Sequence, residues 1–126
     1  MTSPINVEIS EEKVSKDGKE IVLKIVKLTG QLDESNVDDS AHQVYELIDN
    51  MPKSSYLVFD LAELTYLNSK SIGYLTDWHL KVKEKEGEIF LVGTRSNILD
   101  ILNVVGLTQI VKSYESLDVA KKALEG

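Results

Sequence analysis

The 126-residue sequence contains no cysteine. That absence excludes a disulfide framework, a thiolate nucleophile and any zinc or iron–sulfur site built on cysteine. Long apolar runs are missing too: none approaches the roughly 20 residues a membrane-spanning helix needs, so no membrane is expected as a partner. Met1-Thr2-Ser3-Pro4 lacks the basic and apolar regions of a secretory signal, which makes a cytoplasmic location the expectation. Positive charge is in short supply. Fourteen Lys and Arg stand against 21 Asp and Glu, a formal net charge of −7. Such a chain repels phosphate backbones, so no nucleic acid is expected as a partner. The acidic balance suits a protein partner with a basic patch.

What is present suits one ordinary domain covering residues 1–126, with an apolar fraction of 42 % and no internal repeat, low-complexity segment or linker. Ile5-Asn6-Val7-Glu8-Ile9 alternates as a half-buried strand does. Asp17-Gly18 then signals a hairpin, and Glu20 to Thr29 pairs back antiparallel. Gly30 is expected to break this strand, with Leu32 to Asn36 offering caps for a helix from Asn36 to Asn50 that Pro52 ends. Tyr56 to Leu61 reads as a central strand covered on both faces by helices.

Ile72, Leu75, Trp78, His79 and Val82 mark a second helix with Gly87 as its cap, and Glu88 to Val92 another buried strand. Ile98, Leu99, Ile101, Leu102 and Val105 form a third helical stripe, capped by Ser96 or Asn97 and stopped at Gly106. Gln109 to Val111 is a short strand candidate, and Leu117 to Leu124 a closing helix. No helix shows a second apolar face, so a monomer is expected. An opening hairpin followed by alternating helices and strands predicts an α/β fold with a mixed, mostly parallel sheet of four to five strands and about four helices. Sites in such folds gather beyond the carboxyl ends of the strands, here Gly30 to Asn36 and Leu64 to Ser71.

Catalysis finds little support, and no enzyme, cofactor or metal is expected. His42 and His79 fall within helical patterns without metal-ligand spacing around them, and glycine-rich phosphate loops and nucleophile elbows are absent. Asp60, at the expected end of the central strand, invites comparison with the phosphoacceptor of receiver domains. Those domains need an acidic pair and a late lysine around a magnesium ion. Only Asp33 and Lys112 are available here, and the opening hairpin does not match, so Asp60 reads as a hydrogen-bond acceptor. The sharper feature is Tyr66-Leu67-Asn68-Ser69-Lys70-Ser71-Ile72-Gly73, which leaves a buried strand and opens a helix. Ser69 is placed as its N-cap. Lys70 opposes the helix dipole, and Gly73 costs about 1 kcal/mol relative to Ala, so this start is shaped for close backbone approach and a nearby anion.

Four stretches together resemble the STAS family, shared by sulfate transporters and bacterial anti-sigma factor antagonists. Leu28 to Asp33 is similar to the family's Gly-x-Leu-Asp turn, and Tyr56 to Leu67 to its buried strand and lead-in loop. Asn68 to Gly73 aligns with the signature Asp-Ser-Ser/Thr-Gly-Leu-Gly, and Ile98 to Ile110, with Ser116 to Leu124, resembles the closing part. The resemblance implies an anti-sigma factor antagonist acting by partner switching. Its partners would be an anti-sigma factor that is also a kinase, and a phosphatase that resets the cycle. Ser69 would be the phosphorylated residue, with Gly30, Asp33, Asn68, Ser69, Lys70 and Ser71 on the partner surface. Asn68 stands where the signature has aspartate, Lys70 where it has a hydroxyl residue, and Ser71 where it has glycine. These departures motivate the alternative of a non-phosphorylated scaffold or ligand-sensing module in a stress-signalling complex. Ser71 is a second candidate acceptor or cap. Because the domain fills the chain, a transporter's regulatory tail is the lesser expectation.

Overall fold

A computed structural model describes residues 5–125. Met1 to Pro4, where the sequence lacks a secretory signal, lie outside the described residues. Two long strands, β1 (Ile5–Lys16) and β2 (Lys19–Leu32), form the opening hairpin. Asp17 and Gly18 both take positive φ, 53° and 77°, as the tight turn between right-twisted strands requires. Helix α1 (Val37–Asn50), strand β3 (Tyr56–Leu67), helix α2 (Ser69–Glu84) and strand β4 (Glu88–Val92) follow. Helix α3 (Ser96–Val104), a 3-10 turn over Leu107–Gln109, strand β5 (Lys112–Tyr114) and helix α4 (Leu117–Glu125) complete the described chain.

The sheet runs β1-β2-β3-β4-β5; the first pair is antiparallel and the rest are parallel. This is the mixed α/β architecture the alternating pattern predicts. Its two faces bury separate clusters. Val26, Leu28, Phe59, Leu61 and Leu91 face α1, α2 and α3, whose Val44, Ile48, Leu75, Trp78, Val82, Ile98 and Leu102 cover them. Leu23, Ile25, Val58, Phe90 and Val92 face Ala120 and Leu124 of α4. Central β3 is therefore buried on both sides, which explains its unbroken apolar run.

Several boundaries differ from the sequence expectation. Gly30 does not break β2; it sits at φ 116° beside a register shift in which the partner strand β3 carries the extra residue, Thr65, and β2 runs on to Leu32. Correspondingly, β3 extends to Leu67, so Leu64 to Ser71 is the end of a strand and the start of a helix rather than a loop. Gly87 does not supply the left-handed residue after α2. Glu86 does, at φ 63°, with its N–H donating to Lys83 O and that of Gly87 to Val82 O. Gly87 is glycine for want of room, since a Cβ there would lie 2.1 Å from the Ser55 carbonyl oxygen.

Arg95, not Ser96 or Asn97, precedes α3 as its N-cap, in extended conformation and without a side-chain cap bond. The strand placed at Gln109 to Val111 lies instead at Lys112–Tyr114, because Leu107 to Gln109 close a 3-10 turn after left-handed Gly106. The third stripe is buried only at Ile98 and Leu102. Ile101, Val104 and Val105 are exposed, Val104 by 86 %, so α3 does carry a second apolar face.

Candidate functional site

The carboxyl ends of β2 and β3 meet at one point. Leu32 and Leu67 are register partners, and the N–H of Asn68 donates to Leu32 O at 3.1 Å. The turn after β2 and the first turn of α2 are thereby brought side by side, which unites Gly30 and Asp33 with Asn68 to Ser71. The turn is held by its own side chains. Asp33 Oδ1 accepts from the N–H and hydroxyl of Ser35 at 2.9 and 2.6 Å. The Asn36 amide donates to Gln31 O at 2.8 Å and accepts from the Asp33 N–H at 3.1 Å. Thr65 Oγ1 donates to Gly30 O across the strands at 3.1 Å.

Ser69 is not the N-cap of α2. Asn68 is extended, at φ −98° and ψ 175°, while Ser69 already has helical backbone, so the capping position falls one residue earlier. Asn68 Oδ1 accepts both the N–H of Ser71 at 3.0 Å and its hydroxyl at 2.6 Å. Ser71 is 1 % exposed and its hydroxyl is spent on this bond, so it is neither cap nor reachable acceptor. Ser69, by contrast, is exposed at the first helical position. Its hydroxyl is free of capping duty.

Lys70 is not a lone cation awaiting an anion. Its ammonium pairs with Asp38, in the first turn of α1, at 2.9 Å, and the Tyr74 hydroxyl donates to the same carboxylate at 2.6 Å. The Tyr74 and Lys70 hydrogen bonds hold the Asp38 carboxyl below the usual aspartate range, and the Asp38 bond raises Lys70 and Tyr74 in turn. One helical turn on, the Tyr45 hydroxyl donates to Asp77, and burial followed by that bond pushes the Tyr45 phenol up. Between these two links lies a shallow groove of about 370 Å³ lined by Tyr45, Lys70, Gly73, Tyr74 and Asp77. Gly73 faces open space on it, with nothing within 4 Å of where a Cβ would stand, so the glycine permits no close approach inside the molecule.

Asp38, Tyr74, Tyr45 and Asp77 escaped the sequence reading, because their contacts join positions more than 30 residues apart. His42 is exposed, while His79 is half-buried beside α2's apolar stripe, its pKa lowered first by burial and then by Lys83. Asp60 lies in mid-strand and accepts from the Ala62 N–H at 3.1 Å. Among the described residues no group of His, Cys, Asp or Glu is arranged to hold a metal, and no helix is long and apolar enough to cross a membrane.

The family model for the STAS domain matches residues 13–120. The chain belongs to the STAS family. STAS domains are regulatory modules rather than enzymes. Solved structures with this fold include an anti-sigma factor antagonist from Mycobacterium paratuberculosis, 21 % identical, with a TM-score of 0.71 over 93 % of this chain and 94 % of that one. The phosphorylated form of the Bacillus cell fate determinant SpoIIAA is 13 % identical, with a TM-score of 0.63 over 92 % and 99 %. The murine anion transporter Slc26a9 is 15 % identical, with a TM-score of 0.66 over 94 % of this chain and 22 % of that one. At these identities the likeness is one of fold.

Proposed function

We propose that this STAS domain is an anti-sigma factor antagonist that works by partner switching, with Ser69 as the phosphorylated residue. Its partner is an anti-sigma factor with kinase activity, and a phosphatase resets the cycle. The observation that carries the reading is the placement of Ser69. It is exposed at the first position of α2, and Asn68 leaves its hydroxyl available. The end of β2 from Gly30 and the turn that begins at Asp33 stand alongside, so Gly30, Asp33, Asn68, Ser69 and Lys70 share one surface. Ser71 contributes from below it, through the cap.

A phosphate on Ser69 would add about −1.5 to −2 charges beside free helix-start amides. A dianion set in a contact that must otherwise desolvate is enough to reverse an association. An anti-sigma factor antagonist and a phosphorylated cell fate determinant among the structures of the same fold support the role. Residues 1–126 act here as one domain in the cytoplasm.

The test is affinity capture with two baits. Ser69→Ala should retain an ATP-binding partner and Ser69→Asp should lose it, while mass spectrometry after incubation with that partner and ATP should place phosphate on Ser69. Equal capture by both baits with no phosphate at Ser69 refutes the switch. One observation favours the alternative of a ligand-sensing module. A depression of about 500 Å³ at the carboxyl ends of β4 and β5 is lined by Thr94, Asn103, Thr108, Ser113 and Glu115 among others. Saturable binding of a small polar molecule there, lost in Asn103→Leu, would support it.

A further inference from the structure

We infer that Lys70 is an exchangeable counter-ion: it is held by Asp38 of α1 while Ser69 is unmodified, and it passes to a phosphate on Ser69. Phosphorylation thereby opens the Lys70–Asp38 ion pair between α1 and α2. This rests on the phosphorylation of Ser69 proposed above.

The geometry sets up the exchange. Lys70 and Ser69 are adjacent in the first turn of α2, and the Lys70 ammonium reaches across to Asp38 at 2.9 Å. Both members of the pair are more than half exposed, 53 % and 57 %, so the bridge is weak and easily remade. Asp38 has a second donor in the Tyr74 hydroxyl and so does not depend on the lysine alone. His42 and Glu34 are the other charged groups near the pair. A phosphate dianion is the stronger competitor, with more charge and three acceptor oxygens against a carboxylate already sharing its lone pairs. When Lys70 leaves, Asp38 and Tyr74 lose the cation between the helices. The Tyr74–Asp38 and Tyr45–Asp77 hydrogen bonds then hold the groove without the ion pair.

The experiment installs phosphoserine at position 69 during translation, so it needs no kinase and stands apart from the capture test. The second ionisation of the phosphate is followed by phosphorus NMR in the wild type, Lys70→Met and Asp38→Asn. The phosphate pKa in Lys70→Met should lie above the wild-type value by about half a unit, the size of a partly exposed ion pair. In Asp38→Asn, with Lys70 released, it should lie at or below the wild-type value. The Asp38 carboxyl signal in the wild type should titrate higher with the phosphate present than without it. That rise should shrink in Lys70→Met, where the carboxylate has no lysine to lose. Equal phosphate titrations in the wild type and Lys70→Met, or an undiminished Asp38 rise in Lys70→Met, overturn the exchange. They would leave the switch itself standing if the phosphorylated protein still releases its partner.

Discussion

Asn68→Ala tests the local architecture under the proposed switch. Two losses are expected. Removing the cap costs about 1 kcal/mol. The Ser71 hydroxyl, 1 % exposed and 2.6 Å from Asn68 Oδ1, loses its acceptor, at roughly 1 kcal/mol, the lower end for a stranded buried group. The sum is about 2 kcal/mol, or a fall of about 8 °C in Tm for a domain of this size. Urea unfolding of Asn68→Ala, Ser71→Ala and the double variant forms a cycle that isolates the hydroxyl's share. The double variant should be about 1 kcal/mol more stable than the two single losses would sum to. Asn68→Asp keeps the acceptor and sets a carboxylate at a helix N-terminus, a gain of about 0.3–1 kcal/mol. A carboxylate favoured in the folded state has its pKa depressed. The gain is therefore present at neutral pH and disappears as pH falls through the aspartate range. A loss under about 0.5 kcal/mol for Asn68→Ala would refute the assignment of Asn68 as the cap and put Ser69 back in that role.

Two glycines give opposite expectations. Gly73→Ala meets open space in an exposed helix and should raise stability by about 1 kcal/mol. Gly87→Ala drives a methyl into the Ser55 carbonyl and should cost about 2 kcal/mol or more, both read from chemical denaturation. Lys85 donates to the carbonyls of Ile48, Asp49 and Met51 at 2.7, 2.8 and 3.1 Å, closing the carboxyl end of α1 from the end of α2. Lys85→Met keeps the alkyl stem and loses the cation, and should destabilise by about 2 kcal/mol in the same assay.

Apolar periodicity made the framework legible. The α1 stripe, the buried β3 and β4 runs and the Asp17-Gly18 turn are local signals, and the observed elements begin within a residue of them, although β3 runs six residues past Leu61. What could not be read depends on distant neighbours. Whether Gly30 ends a strand or lies within it is decided by its pairing with β3, which bulges opposite it. Asn68 and Ser69 are both good caps, and the choice turns on where the backbone becomes helical. The α3 sequence is apolar around much of its circumference, so only packing reveals that Ile98 and Leu102 face the core while Ile101 and Val105 do not. The pairing of Lys70 joins two helices across 32 positions, beyond the reach of any local pattern. The resemblance placed Ser69 and Gly30 in one region, and the Asn68–Leu32 hydrogen bond supplies the physical link between their turns.

Trp78, the sole tryptophan, stacks on Phe59 at 5.3 Å and on Tyr74 at 5.9 Å, with its side chain almost wholly buried. Tyr74 is also the residue whose hydroxyl meets Asp38. The domain therefore contains its own optical probe, one ring removed from the Lys70–Asp38 link. A shift of Tyr74 would alter the quenching of a single indole, so events at Ser69 should be visible as a change in emission with no label attached.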